Sequence, residues 1–477
     1  MKVCTTNADF FVFDINQNHY FDNMKENNLP FKSKLILLSF LLLCVLSTLA
    51  QTDTTYTKEG FTFGLLPAIS YDADLGFQYG GLTNLYWYGD GSRYPEYEHS
   101  LYLEVSKYTA GSTLLRGYFD SPIAINNVRT TVDVTYFRDQ TMDFYGFNGY
   151  QAVYNANWED DSSEDYLSRV FYRHHRDMFR VLTNFKGHLG TDNSPWEWMG
   201  GLTFFNFNIK SVDINRINKK LDENDQLPDI PTLYDKYVDW GIIKEKEAKG
   251  GNHLYVKGGL SYDTRDILAN PSKGMWTELF LIYMPSLFSS FDDSYIRMNL
   301  FHRQYFSLTP KRNLIFAYRV GLQHKIAGDI PFYLLPHMAS SVLTSATSQG
   351  LGGSKTLRGI NRNRVVGDGN LLANVELRWK MWRTKLFKQD FYLGSNYFVD
   401  MGMITQKYQF DLTPAQDELR DHYPLFFNNE DDKLHLSYGF GLKGALNENF
   451  VLSAEYGFAA DKQDGTSGLY ITLNYLF

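Results

Sequence analysis

Cysteine is almost missing from this 477-residue chain: Cys4 and Cys44 both lie ahead of residue 51. Beyond that point there is no thiol, which excludes disulfides, thiol catalysis and cysteine-ligated zinc there. Apolar runs are also lacking. None reaches the roughly 20 residues of a spanning helix, and a mean hydropathy of −0.34 is too polar for a helical membrane bundle. A transmembrane β-barrel is not excluded, because only every second residue of its strands meets lipid. There is no basic excess, the net charge being −8, so a nucleic-acid partner is not expected. No G-x-S-x-G nucleophile elbow occurs. His174 and His175 are adjacent, so on a strand they point to opposite faces and share a metal poorly. The acidic run at 159–165 lacks the glycine and spacing of an EF-hand. Gly367-Asp368-Gly369-Asn370 reads as a turn, because no helix follows to cradle a phosphate. Neither an enzyme nor a cofactor is expected. Proline is scarce, at 14 residues, whereas aromatics reach 16%, with 34 Tyr and 36 Phe. That bias suits strands and membrane interfaces.

The longest apolar run, Leu35 to Leu49, follows Lys32 and Lys34 and closes at Ala50 before Gln51. Charge, short apolar core and small terminal residue are the parts of a secretory signal. Thr48 at the third position before the cut is an imperfect match. The bulky Leu41-Leu42-Leu43 beside Cys44 fits lipid attachment poorly. Residues 1–23 do not read as part of a signal, and Met24 is the expected start. The expected division is an N-terminal extension and cleaved signal over 1–50, a short periplasmic lead-in over 51–60, and a barrel over 61–477.

From Phe61 onward the chain repeats every second residue. Leu371, Ala373, Val375, Leu377 and Trp379 share one face; Asn374, Glu376, Arg378 and Lys380 share the other. Residues 128–136, 434–443 and 450–458 do the same. A soluble sandwich also alternates, but the polar face here carries charges deep within strands: Asp133, Lys257, Glu376, Arg378 and Glu455. A polar lumen accepts them. The segments, about 10–14 residues, match tilted membrane strands better than globular ones. Seventeen candidates can be counted. Single-chain bacterial barrels have even numbers, so sixteen strands are expected, with the misread one between 140 and 210. Short turns such as 446–449 contrast with long polar connections at 140–164, 211–250 and 404–432, expected to be extracellular. The 211–250 insert holds the one helical stretch, around 231–248. The last strand, Gly468 to Phe477, sets Leu469, Ile471, Leu473, Tyr475 and Phe477 on one face, ending on the terminal aromatic of a barrel strand. The alternative is an ordinary edge strand that stops at Phe.

Three motifs occur in order. The first is Gly352-Gly353-Ser354-Lys355-Thr356-Leu357-Arg358-Gly359-Ile360. Tyr262-Asp263-Thr264-Arg265-Asp266 is followed by Pro271 and Gly274, and Phe398-Val399-Asp400-Met401-Gly402 completes the set. With the terminal Phe477 they resemble the BamA/TamA-type outer-membrane assembly family, also called the bacterial surface antigen family, from about Leu254 to Phe477 and more weakly back to Phe61. The resemblance implies an all-β antiparallel barrel with an inward-folded loop. Arg358 would be pinned by acids on the next inner strands, Asp400 and Glu376. A stranded buried charge would otherwise be costly; the alternative is an exposed glycine turn with a solvated arginine. Asp263, Arg265, Asp266, Pro271 and Gly274 would shape a periplasmic turn.

In that family the first and last strands meet at a seam that parts. Pro67, with no N–H to donate, would soften the seam opposite Tyr475 and Phe477, or would simply be a tolerated edge proline. Family members carry periplasmic POTRA domains ahead of the barrel, and residues 51–60 leave no room for one. The implied function is insertion or translocation of proteins at the outer membrane. The implied partners are outer-membrane lipid, client proteins and other assembly subunits. A passive pore or structural subunit is the alternative.

Overall fold

The two-residue period is realised as strands throughout. A computed structural model describes residues 13–15 and 57–477, except 73–75, 95, 110, 192–193, 220, 288, 291–293, 338–349, 387–388, 447–449 and 474. A three-residue strand, β1 (Phe13–Ile15), precedes sixteen others: β2 (Phe61–Asp72), β3 (Gly76–Trp87), β4 (His99–Tyr108), β5 (Thr113–Ile125), β6 (Val128–Asp143), β7 (Arg173–His188), β8 (Trp196–Lys210), β9 (Gly250–Asp263), β10 (Gly274–Met284), β11 (Tyr295–Ser307), β12 (Leu314–Gly328), β13 (Gly369–Leu386), β14 (Gln389–Gln406), β15 (His435–Leu446), β16 (Phe450–Ala459) and β17 (Ser467–Leu473). From β2 to β17 each strand pairs antiparallel with the next, as in the β13–β14 ladder with Asn374 opposite Asp400 and Glu376 opposite Phe398. The sixteen strands form an antiparallel β-barrel fold.

Burial runs opposite to that of a soluble protein. On β13, Glu376 and Arg378 are fully buried, whereas Leu377 and Trp379 are exposed, at 37% and 45%. On β15, Tyr438, Phe440 and Leu442 are exposed while Ser437 and Lys443 are buried. Lipid takes the apolar face and the lumen takes the charges.

The two barrel ends differ. At one end, short turns such as 126–127 and 308–313 join strands, and β9 meets β10 through the Asp263–Gly274 turn. At the other end lie the connections 144–172, 211–249, 329–368 and 407–434. Residues 144–172 hold no strand, only two short 3₁₀ turns. The helical stretch expected around 231–248 is instead two short helices, with a third ahead of them: α1 (Ile214–Asn218), α2 (Leu233–Asp239) and α3 (Glu245–Ala248). Thr232 and Asp235 form a capping box that starts α2. Gly241, at φ 69°, ends it in the left-handed conformation.

These connections are polar in composition, but among the described residues they contribute to the largest apolar cluster. Phe147, Trp158, Tyr172, Tyr237, Trp240 and Phe427 are among its buried members. They lock the long connections into a cap over the loop end of the barrel.

The last strand departs from expectation. It ends at Leu473, and Tyr475 and Phe477 do not continue the outward face but are buried. The physical reason is Arg378. Its guanidinium lies 4.2 Å from the Tyr475 ring centroid and 4.8 Å from that of Phe477, and it donates to the main-chain oxygen of Phe477 at 2.8 Å. Cation–ring contact and a hydrogen bond satisfy a buried charge.

The expected signal segment and lead-in lie outside the described residues, apart from 13–15 and 57–60. β1 pairs antiparallel with the free edge of β17, with Phe13 opposite Ile471 and Ile15 opposite Leu469. It also lies against β2.

Candidate functional site: the loop inside the barrel

The connection from β12 to β13 turns back into the lumen. A bridge between Leu351 and Val365 closes it into a compact hairpin. Gly352 and Gly353 sit at φ 111° and 90°, which side chains on L-residues rarely adopt. Thr356 ties the bend: its hydroxyl accepts from the Gly352 N–H at 2.9 Å and donates to the Gly350 carbonyl at 2.8 Å. Leu351, Leu357, Ile360 and Val365 then pack against Phe301, Leu372 and Ile404 of the barrel wall.

Arg358 lies at the loop tip, fully buried. Its Nε and Nη2 reach the two oxygens of Asp400 at 2.8 and 2.9 Å, a bidentate fork. Nη1 donates to Glu376 at 2.7 Å and to Glu455 at 2.8 Å. The guanidinium also lies 3.6 Å from the Phe398 ring centroid. Lys443 donates to Glu455 at 2.6 Å, and Arg378 donates to Glu376 at 2.7 Å. Three carboxylates thus face three cations. Charge balance and a dense set of hydrogen bonds are what make such a buried cluster tolerable.

The Phe-x-Asp-x-Gly strand explains itself in this geometry. Positions 398, 400 and 402 all face inward along β14. Phe398 supplies the ring under the guanidinium and Asp400 the fork. Gly402 supplies space, since a β-carbon there would come within 2.9 Å of Leu357.

The loop also grips the strands beside the seam. The Gly359 N–H donates to the Tyr470 hydroxyl of β17 at 2.6 Å. Gly359 and Gly457 of β16 meet back to back, so that a β-carbon on Gly457 would lie 2.6 Å from the Arg358 oxygen. Above this point, Arg364 donates to the carbonyls of Gly149, Ala152 and Gln463 at 2.6–3.0 Å. One loop therefore connects β13, β14, β16 and β17 to the cap.

A sequence model of the Omp85 superfamily domain matches residues 97–477. This chain belongs to the Omp85 superfamily. As an Omp85 barrel it is a bacterial outer-membrane protein. Among solved structures, it is similar to BamA from Haemophilus ducreyi lacking POTRA domains 1–3. The TM-score is 0.52 and the identity 14%, over 88% of this chain and 71% of that one. It is also similar to CdiB from Escherichia coli, with a TM-score of 0.52 and 9% identity, over 88% of this chain and 64% of that one. The chain thus spans less than two thirds of that CdiB. No curated protein matches it significantly in sequence.

The other expected residues occupy two further places. In the β9–β10 turn, Arg265 forms an ion pair with Asp263 at 2.7 Å and stacks on Trp276 at 4.0 Å. Asp266 accepts from the Ser272 N–H at 2.9 Å, Pro271 is buried, and Gly274 takes φ 101°. These carboxylates are held in turn geometry. Pro67 lies on β2 opposite Gly81, and Phe63 to Pro67 are exposed at every position rather than at every second one. That break in alternation falls on the strand bordering the seam. Glu455 as a third partner of Arg358, the Tyr470 tether and the Arg378 contacts to Tyr475 and Phe477 were not among the expected site residues. Alternation marked Glu455, Tyr470 and Arg378 as facing inward but could not set their height.

Proposed function

We propose that this Omp85 barrel inserts or translocates other proteins at the outer membrane, using the seam between β2 and β17 as the working edge. The observation that carries this reading is the state of that edge. Among the described residues β17 has β16 on one side and no barrel strand on the other, its partner there being the three residues of β1 from the segment expected to be cleaved, so the edge offers main-chain groups to an added strand. β2 borders it with Pro67, which donates no ladder hydrogen bond. The lumen loop holds β17 through Tyr470 and so controls how far the edge is free to move. Client polypeptides and the lipid around the seam are the partners this mechanism requires, and it needs no catalytic group or cofactor.

A photo-crosslinker at Phe63 or Leu469, compared with one at lipid-facing Leu377, tests the proposal in cells. Adducts with other polypeptides at the seam positions alone support it. Equal labelling at Leu377, or none at the seam, contradicts it. The alternative of a passive pore meets a specific obstacle: the lumen is filled by the Arg358 loop and covered by the aromatic cap.

A further inference from the structure

We infer that the rim of the barrel at its short-turn end, along the arc from β10 to β14, binds the headgroups of anionic phospholipids through Lys273, Lys311, Arg312, Arg383 and Lys385. All five residues are exposed. They come from stretches far apart in sequence, the 264–273 and 308–313 turns and the end of β13, but β10 to β14 are consecutive neighbours in the sheet. Two contacts join these stretches into one surface. Arg312 reaches Asp266 at 3.4 Å, and the Lys380 N–H donates to the Asn313 carbonyl at 2.8 Å.

Few acids offset this charge. Asp263 is paired with Arg265, and Asp266 is occupied by the turn itself, accepting from the N–H groups of Ile267 at 3.0 Å and Ser272 at 2.9 Å. Asp390 lies opposite Lys385 in the β13–β14 ladder. Among the described residues, Lys273, Lys311 and Lys385 form no ion pair. The bias is local, since the chain as a whole carries a net charge of −8. The 88–98 connection at the same end is acidic instead, with Asp90, Glu96 and Glu98, and its Arg93 is paired with Glu96 at 2.7 Å.

What meets this arc is set by the wall beside it. Phe306, Leu308, Trp379 and Trp382 are all exposed. They belong to the apolar band that lipid covers, with aromatic rings at its interfacial edge. A register shift between Lys380 and Trp382 leaves Met381 and Trp382 exposed in succession, which widens that band next to Arg383. Lysine and arginine just beyond such a band sit at headgroup height, where an anionic lipid surface attracts them. The short-turn end is the periplasmic end of an outer-membrane barrel, so the leaflet concerned is the periplasmic one. A soluble acidic partner would use the charges alone and leave the rings to lipid.

The probe is phosphatidylglycerol, in mixed micelles with an equal amount of phosphatidylcholine. The readout is the lipid retained by the detergent-solubilised full-length protein in native mass spectrometry. Phosphatidylglycerol should be retained preferentially, and added salt should weaken the preference. Each basic side chain near an anionic surface contributes roughly a fivefold factor, so combining Lys273→Gln, Lys311→Gln and Lys385→Gln should lower the preference by about tenfold or more. Combining Lys210→Gln, Lys219→Gln and Lys246→Gln, at exposed positions of the cap end, should leave it unchanged. Heat-resistant migration on gels checks that both variants fold; if either does not, the salt series on the unaltered protein decides. Equal retention of the two lipids by the unaltered protein, a preference that salt does not weaken, or an equal loss in both variants overturns the inference. So does binding of poly-glutamate in place of phosphatidylglycerol through the same three lysines, which would assign the arc to an acidic protein.

Discussion

Arg358 concentrates the energetics of the lumen. Removing its side chain leaves Asp400, Glu376 and Glu455 facing two cations instead of three. Breaking a buried ion pair in this way costs about 3–5 kcal/mol. Arg358→Ala is therefore expected to lower the unfolding midpoint of the micelle-embedded barrel by that equivalent, as followed by urea titration of tryptophan fluorescence. Arg358→Lys keeps the charge but not the fork, and should recover only part of the loss. Steric demands are equally local. Gly402→Val drives side-chain carbon into Leu357 and should cost about 1–3 kcal/mol as overpacking. Gly258→Ala serves as the control, because a β-carbon at Gly258 meets nothing within 4 Å. An equal loss in both glycine variants would contradict the packing account.

Among the elements, the cap and the barrel wall are held by different forces and should fail separately. Tyr237 and Trp240 sit in the aromatic cluster at 1% and 2% exposure. Truncating a buried aromatic costs about 3–5 kcal/mol. Trp240→Ala is expected to open residues 144–172 and 407–434 to limited proteolysis while the heat-resistant migration of the barrel on gels is retained, as local unfolding allows. Loss of both together would mean that cap and wall form one cooperative unit.

The same division separates what the sequence discloses from what it hides. Strand faces were legible, because alternation assigns Glu376, Arg378 and Glu455 to the lumen from their neighbours alone. The Arg358–Asp400–Glu376 grouping followed from motif resemblance. Alternation carries no information on height along the barrel axis, so the meeting of Arg358 with Glu455, two strands beyond Asp400, was hidden. The cap was hidden for a different reason. Trp158, Tyr172 and Trp240 are scattered through polar segments with no period, so composition masked a core assembled from four distant connections. Tyr475 and Phe477 misled in turn. Their spacing continues the outward face of β17, but the pull of Arg378 outweighs the pattern once the strand ends at Leu473.

Taken as a whole, the molecule is a filled barrel, and the proposed working line is its seam. The lumen is closed by a charge-balanced loop and the loop end by an aromatic dome, while among the described residues the β17 edge has no barrel strand beside it. In planar bilayers the intact protein should therefore show little steady conductance, and Arg358→Ala should raise it by releasing the loop. A large steady current from the unaltered protein would favour a passive pore instead.

The account rests most heavily on the seam. Residues 51–477 contain no cysteine, so a pair of cysteines introduced one in β2 and one in β17 has no native thiol in that range to compete for the bond. Delivery of newly exported proteins to the outer membrane is measured with the bond formed and again after reduction. The account predicts that oxidation stops delivery and that reduction restores it. Unchanged delivery with the seam fully locked would contradict it.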